Sequence, residues 1–479
     1  MTEPAQFASS FTLKEANIYP VLSEKPISIL DLITRFDYFE DIRYPSVSGK
    51  LRLLDNAANL ISSMPIQGFE KVEIKLIDFT NENVYEYNFR VYKIEQRFEK
   101  TRFQVYTLDL VSEENLINEG VRVPKTLEGK AEDIISGLIT SSLGSEKVFR
   151  FDPTEYKLKF NPGIKSPFTI INSIQMKCVP SGSKSKVETS EEGSDSSNQE
   201  NKSQGLLGTV ESGEYSKAKG TGGYLFYENR FGYNFKSIDT LCSTTSEFNG
   251  EEAVTKYTLE ENYNREERSP RKILDIDFLD ELDIASKLRM GAFSSLVVYF
   301  NFSTGQYEEY VYSLAESYKN MAHMGNQKGL PYGQKELSKY PTRIMSSILD
   351  DETWYNGSDI GSIEEKHNGG KTSGTQFPDF QKYYLSQSLS RLNSLQNQKV
   401  KITVPGNPDL TVGDKIELDL PNQTPVSTRI DEPYDIEYSG VYLVQSINHA
   451  FSPKDQICTT YVTLIRDSYG KLDSFSKTK

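Results

Sequence analysis

Cysteine, histidine and tryptophan are scarce in this 479-residue chain, which holds three, three and one of them. Cys178, Cys242 and Cys458 lie far apart with no CxxC spacing and no nearby histidine pair, so neither a disulfide framework nor a zinc site is expected. His323, His367 and His449 leave little for a Ser-His-Asp or metal-histidine centre. Positive charge is in deficit too: 54 Lys and Arg stand against 68 Asp and Glu, a formal net charge of −14. A surface that grips nucleic acid through its phosphates needs clustered Lys and Arg, and that class is excluded. No window approaches the roughly 18 consecutive apolar residues of a membrane helix. The opening MTEPAQFASSFTLKEANIYP has no basic segment followed by an apolar run, so it does not read as a secretion signal, and synthesis and assembly in a cytoplasm are expected.

What the chain does have is Tyr (29), Phe (25) and abundant β-branched residues, which favour strands over helices. Its length exceeds one hydrophobic core, so several domains are expected. Between Lys399 and Ser468, three strand patterns are separated by Pro, Gly, Asn and Asp clusters. Val400, Ile402 and Val404, and then Ile416, Leu418 and Leu420, recur at every second position, which buries one face of each strand. Residues 26–120 show the same alternation. Val72, Ile74 and Leu76 alternate with Glu73 and Lys75, Tyr85, Tyr87, Phe89 and Val91 share a face, and Leu108 and Leu110 mark a further strand. Each set suits a small antiparallel barrel.

Helical spacing is local. Thr126–Leu143 places Ile134, Ile135, Leu138 and Ile139 on one face, and Ser166–Cys178 carries Phe168, Ile171, Ile174 and Met176. Residues 181–223 are dense in Ser, Gly, Glu and Lys and poor in core formers, the composition of a flexible insertion. The expected organisation is a leader at 1–25, a first barrel at 26–120, and a middle or outer α+β domain at 121–271 containing the 181–223 insertion. A second barrel follows at 272–313 and 399–468, interrupted by an outer helical and loop insertion at 314–398, with a tail at 469–479. The fold class is mainly β with some α.

Motifs for chemistry are weak. GGKTSG at Gly369 lacks the P-loop glycine five residues before Gly370, where Glu365 stands, and GTGG at Gly220 lacks the rest of a dinucleotide fingerprint. Asp275, Asp277, Asp280, Glu281 and Asp283 invite a metal or glycosidase reading but lack the glycine and bidentate glutamate of a calcium loop, and a solvated strand face explains them. Asp350, Asp351 and Glu352 read as a loop or helix-start charge group, His449 as a packed histidine, and Cys242 and Cys458 as small buried residues. No catalytic, cofactor-binding or metal residue is assigned.

The wording of several segments carries a resemblance. PGNPDLTVGDKIELDLP followed by EYSGVYLVQSINHAF, with DYFEDIRYPSVSGKLRLLD, PIQGFEKVEIKL and GYLFYENRFGYNFKSIDTL upstream, resembles the baseplate central hub proteins of T-even-like contractile-tailed bacteriophages. A milder likeness, chiefly Tyr106–Leu116, reaches the hub portion of type VI secretion spike proteins. The resemblance spans mainly 26–145, 224–313 and 385–468. It implies two tube barrels per chain and a homotrimer, with a central spike protein below and tail tube or tube-initiator proteins above. It further implies a tape measure protein in the lumen, baseplate wedge proteins around, and genome DNA in transit without specific binding. Such a protein is a non-enzymatic virion component, assembled in the host cytoplasm, with no cofactor and no membrane insertion. Glu73, Glu417 and Asp419, on expected wet faces, are candidates for an acidic lumen that keeps DNA off the wall. A tail-associated glycan hydrolase and a carbohydrate-binding adhesin stand as alternatives.

Overall fold

The computed structural model describes residues 10–21, 25–56, 60, 64–78, 83–100, 103–155, 157–180, 202–205, 208–211, 222–243, 254–259, 271–279, 283–301, 306–318, 321–325, 330–349, 354–355, 384–422, 434–435 and 437–469. The fold is mainly β with some α, and its backbone is one thirteen-stranded sheet that forms two barrels.

The first barrel is built from Phe11–Tyr19, Ile33–Asp41, Ser48–Asp55, Lys71–Asp78, Val84–Lys100 and Phe103–Val111. Period-two patterning puts Val72, Ile74, Leu76, Tyr87, Phe89 and Leu108 inside. These strands do not close the wall alone. Ile33–Asp41 pairs antiparallel with the strand Gly440–Ser452, from Ser446 opposite Asp41 to Phe451 opposite Phe36. At the far side the Phe11 amide donates to the Gln456 carbonyl at 2.9 Å, beside the bridge of Ser10 to Ile457. The C-terminal hairpin therefore completes the N-terminal barrel, and Phe451 and Cys458 enter its core.

The other half of that hairpin builds the second barrel. Gly440–Ser452 pairs with Ile457–Arg466 along its length, with a bulge between Val444 and Ser446 where the hairpin passes from one barrel to the other. Beyond the bulge, Lys415–Asp419 joins one side and Gln398–Pro405 the other. Thr255–Thr258 pairs parallel with Lys415–Asp419, Asp275–Phe278 pairs with Gln398–Pro405, and the Ile273 amide donating to the Thr258 carbonyl at 2.9 Å closes the ring. Val400, Ile402, Val404, Ile416, Leu418, Tyr442, Val462 and Leu464 fill it.

A third core lies beside the barrels. Helices Ala131–Gly137 and Pro167–Gln175 pack with the hairpin Tyr224–Asn229/Gly232–Ser237, and Phe293, Tyr312, Leu314 and Tyr384 join the same cluster.

Four expectations are corrected. Phe11–Tyr19, placed in a leader, is a wall strand paired with Lys71–Asp78; a bulge between Leu13 and Glu15 breaks its alternation and disguised it. Thr255–Thr258, placed in the middle domain, belongs to the second barrel. The hairpin Ser294–Asn301/Gln306–Ser313, placed in that barrel, instead forms a separate sheet with Arg343–Leu349, itself a strand inside the stretch expected to be helix and loop. Leu127–Lys130 is a strand preceding the helix expected from Thr126. Of the 181–223 insertion, Lys202–Gly205 and Gly208–Glu211 pair as a hairpin; most of the rest lies outside the described residues.

Candidate functional surface at the joint between the barrels

Three buried polar clusters fasten the parts together. Glu40, at the end of Ile33–Asp41, accepts hydrogen bonds from the Tyr38 hydroxyl (2.7 Å), the Arg230 amide (2.7 Å) and the Val412 amide (2.9 Å). Each donor comes from a different part: the first barrel, the turn of the middle-domain hairpin, and the loop before Lys415–Asp419. Burial pushes the Glu40 carboxyl up to about 7, against the pull of those three bonds.

Beside it, Lys147 bridges Glu114 and Glu228 at 2.6 Å each, and Glu228 also accepts from the Val47 amide at 3.0 Å. Burial works against the Lys147 ammonium, but Glu228 and Glu114 more than compensate and its pKa rises. In the third cluster the fully buried Arg391 guanidinium meets Asp239 at 2.9 Å, the Ala322 carbonyl at 2.8 Å and Asp467 at 3.5 Å. Asp467 in turn contacts His323 Nδ1 at 2.6 Å. Burial opposes the Asp467 carboxylate, yet His323 and Arg391 hold its pKa down at about 2. A buried charge is tolerated only with such partners.

On the outer face of the shared sheet, a trough of about 980 Å³ runs between the helix Glu113–Gly120 and the hairpin, with Phe39, Tyr44, Tyr92 and Tyr461 among its lining residues. Its charges are neutralised locally. Arg35 grips Asp37 through two 2.7 Å contacts, Arg43 pairs with Asp41 at 2.8 Å, and Lys50 reaches Glu95 (3.5 Å) and Asp109 (3.6 Å). This face mixes acids and bases evenly. Two of the expected acidic carriers are corrected: Glu417 and Asp419 are buried, Asp419 paired with Lys256, whereas Glu73 stays half-buried on the polar phase of its strand, held by Lys71 at 2.5 Å and by the Tyr19 hydroxyl at 2.7 Å.

The other nominated residues scatter. Asp275 and Asp277 are exposed on a strand opposite Thr403 and Lys401. Asp283 caps the helix Ile284–Met290 by accepting from the Ser286 amide at 2.9 Å. Asp280, Glu281, Asp350, Asp351, Glu352, His367, Gly220 and the Gly369 loop lie outside the described residues. His449 is buried, contacts the Thr460 hydroxyl at 2.9 Å, stacks on Tyr38, and is held to about 3 by burial. All three cysteines are free and buried, which pushes their thiols up. Among the described residues no group of three His, Cys, Asp or Glu could hold a metal ion, and no helix is long and apolar enough to cross a membrane. The clusters around Glu40, Lys147 and Arg391 escaped the sequence reading. A signal existed for two: Glu40 follows Phe36 and Tyr38 in phase, and Glu228 follows Tyr224 and Phe226, so each acid occupies an apolar position of its strand.

No family model matches the chain, and no curated protein matches it. Solved structures do. A tail protein from Neisseria meningitidis MC58 aligns with TM-score 0.49 and 10% identity over 96% of this chain and 98% of that one. The 43 kDa tail protein of prophage MuSo2 from Shewanella oneidensis aligns with TM-score 0.44 and 8% identity over 95% and 98%. A type VI secretion system component from E. coli aligns with TM-score 0.36 and 8% identity over 95% and 78%.

Proposed function

We propose that the chain is a structural subunit of a contractile-tail baseplate, the central hub that joins the tail tube to the spike as a homotrimer and lines the channel for the genome. The observation that supports this most is the shared hairpin: two barrels built on one continuous sheet, in strand order from Asp275–Phe278 to Val84–Lys100, make a stiff wall segment. Three such chains supply six barrels, and closed cyclic symmetry is the ordinary way to make them a ring. Four of the five hub motifs quoted from the sequence fall on that wall, in Ile33–Asp41, Ser48–Asp55, Lys71–Asp78, Lys415–Asp419 and Gly440–Ser452, and the fifth forms the middle-domain hairpin Tyr224–Asn229/Gly232–Ser237.

In this reading the partners are the spike protein below, tube or tube-initiator proteins above, a tape measure protein in the lumen and wedge proteins outside. The chain acts without catalysis. Asp275 and Asp277, the acids nominated for hydrolysis that the structure describes in a strand, face Thr403 and Lys401 rather than a second carboxylate across the sheet. A locally neutral wall also fits passage of DNA, since phosphates find no surplus of Lys and Arg to bind. Light scattering on the purified protein should report a three-chain mass. A stable monomer at micromolar concentration, alone and with the spike protein present, would overturn the reading, and so would turnover of peptidoglycan by the purified chain.

A further inference from the structure

Glu40 is 2% exposed and stands where the first barrel, the middle-domain hairpin and the loop of the second barrel meet. Arg230, which donates its backbone amide to Glu40, commits its charge elsewhere. The Arg230 guanidinium meets Asp409 at 3.1 Å and lies over the rings of Tyr85 (4.9 Å) and Phe231 (4.4 Å), so Glu40 has its backbone amide but not its charge. The other ionisable groups around the joint are accounted for. Asp414 accepts from the Thr411 amide at 2.8 Å and raises Glu40 by repulsion. Glu228 is ion-paired with Lys147 at 2.6 Å, and burial still holds its carboxyl above the ordinary glutamate value. Tyr38, Tyr87 and Tyr227 are pushed further up by burial and stay protonated, while His449, stacked on Tyr38, stays neutral.

We propose that this joint is a proton-operated clasp, drawn tight in mild acid and loosened toward neutral pH, which sets how firmly the two barrels and the middle domain hold one another. The direction follows from linkage. When the joint opens, Glu40 meets water and returns to the ordinary glutamate value of 4.5; when it is closed its value is about 7. Between these values the open form is ionised and the closed form is still protonated, so opening grows about tenfold per pH unit and levels off above about pH 7. The full span is about 300-fold. A carboxylic acid can keep both amide contacts, because its hydroxyl can donate to the Tyr38 oxygen while the amides donate to the carboxyl oxygens.

Hydrogen exchange of the Arg230 and Val412 amides tests this, with rates corrected for the intrinsic pH dependence of exchange. In the wild-type chain, protection should be about 40-fold greater at pH 5 than at pH 7, and in Glu40→Gln it should be flat across that range. Tyr38→Phe, which removes a donor that favours the carboxylate, should move the midpoint to higher pH. Wild-type protection that ignores pH, or a slope that survives in Glu40→Gln, would overturn the proposal. Should Glu40→Gln fail to fold, an unmoved midpoint in Tyr38→Phe would do the same.

Discussion

Truncating Phe451 to alanine should destabilise a barrel most of whose strands lie more than three hundred positions earlier in the chain. Phe451 is 3% exposed, stacks on Phe36 with ring centroids 5.6 Å apart, and meets Phe11 edge-on at 5.9 Å and Tyr87 at 6.3 Å. Removing a buried phenyl ring costs about 3–5 kcal/mol, from lost transfer energy and the cavity left behind. Since each 1.4 kcal/mol is about a factor of ten, amides of Ser48–Asp55 and Lys71–Asp78 should exchange about two to three and a half orders of magnitude faster where they report barrel unfolding. Residue-resolved exchange with matched intrinsic rates reads this directly. A fragment of residues 26–120 alone should show no native protection, lacking Phe11–Tyr19 on one side and the hairpin on the other. Unchanged exchange in Phe451→Ala, or a natively protected fragment, would refute the shared-hairpin architecture.

Arg391→Met should cost about 3–5 kcal/mol by chemical denaturation, because it leaves Asp239 and Asp467 buried without their guanidinium; a loss below about 1 kcal/mol would contradict the pairing. Asp467, held at about 2, contributes stability that is present above the ordinary aspartate value of 3.8 and lost as pH falls from there to about 2. In Arg391→Met the Asp467 carboxyl rises toward its ordinary value, so acid titration of stability should show a smaller loss across that window. Gly232→Ala should destabilise by more than about 1 kcal/mol, since Gly232 has φ +119° and a Cβ there would stand 2.3 Å from the Val148 carbonyl oxygen; an unchanged melting temperature would show that the turn relaxes freely.

Local alternation was readable from the chain: Val72, Ile74 and Leu76, and Val400, Ile402 and Val404, all point into barrel cores as their spacing requires. Partnership was not. Alternation marks Ser294–Asn301 and Gln306–Ser313 as strands but carries no information about which sheet they join, and Arg343–Leu349 claims them. The closure of the first barrel depends on Phe36 meeting Phe451, a contact no local window contains. Polar phases misled as well, because Glu417 and Asp419 alternate as a solvated face would, yet both are buried and Asp419 is paired with Lys256. Glu40 shows the reverse case, an acid in the apolar phase whose position anticipated a buried role.

Whether this chain is one third of a ring whose wall is the shared sheet is tested most directly by electron cryomicroscopy of the purified full-length protein. The expected particles contain three chains around an open centre, with six barrels in the wall and the face carrying Arg35, Asp37, Lys50 and Asp109 exposed as one wall of the ring. Particles containing a single chain, or an assembly in which the two barrels of a chain do not both enter the ring, would contradict it.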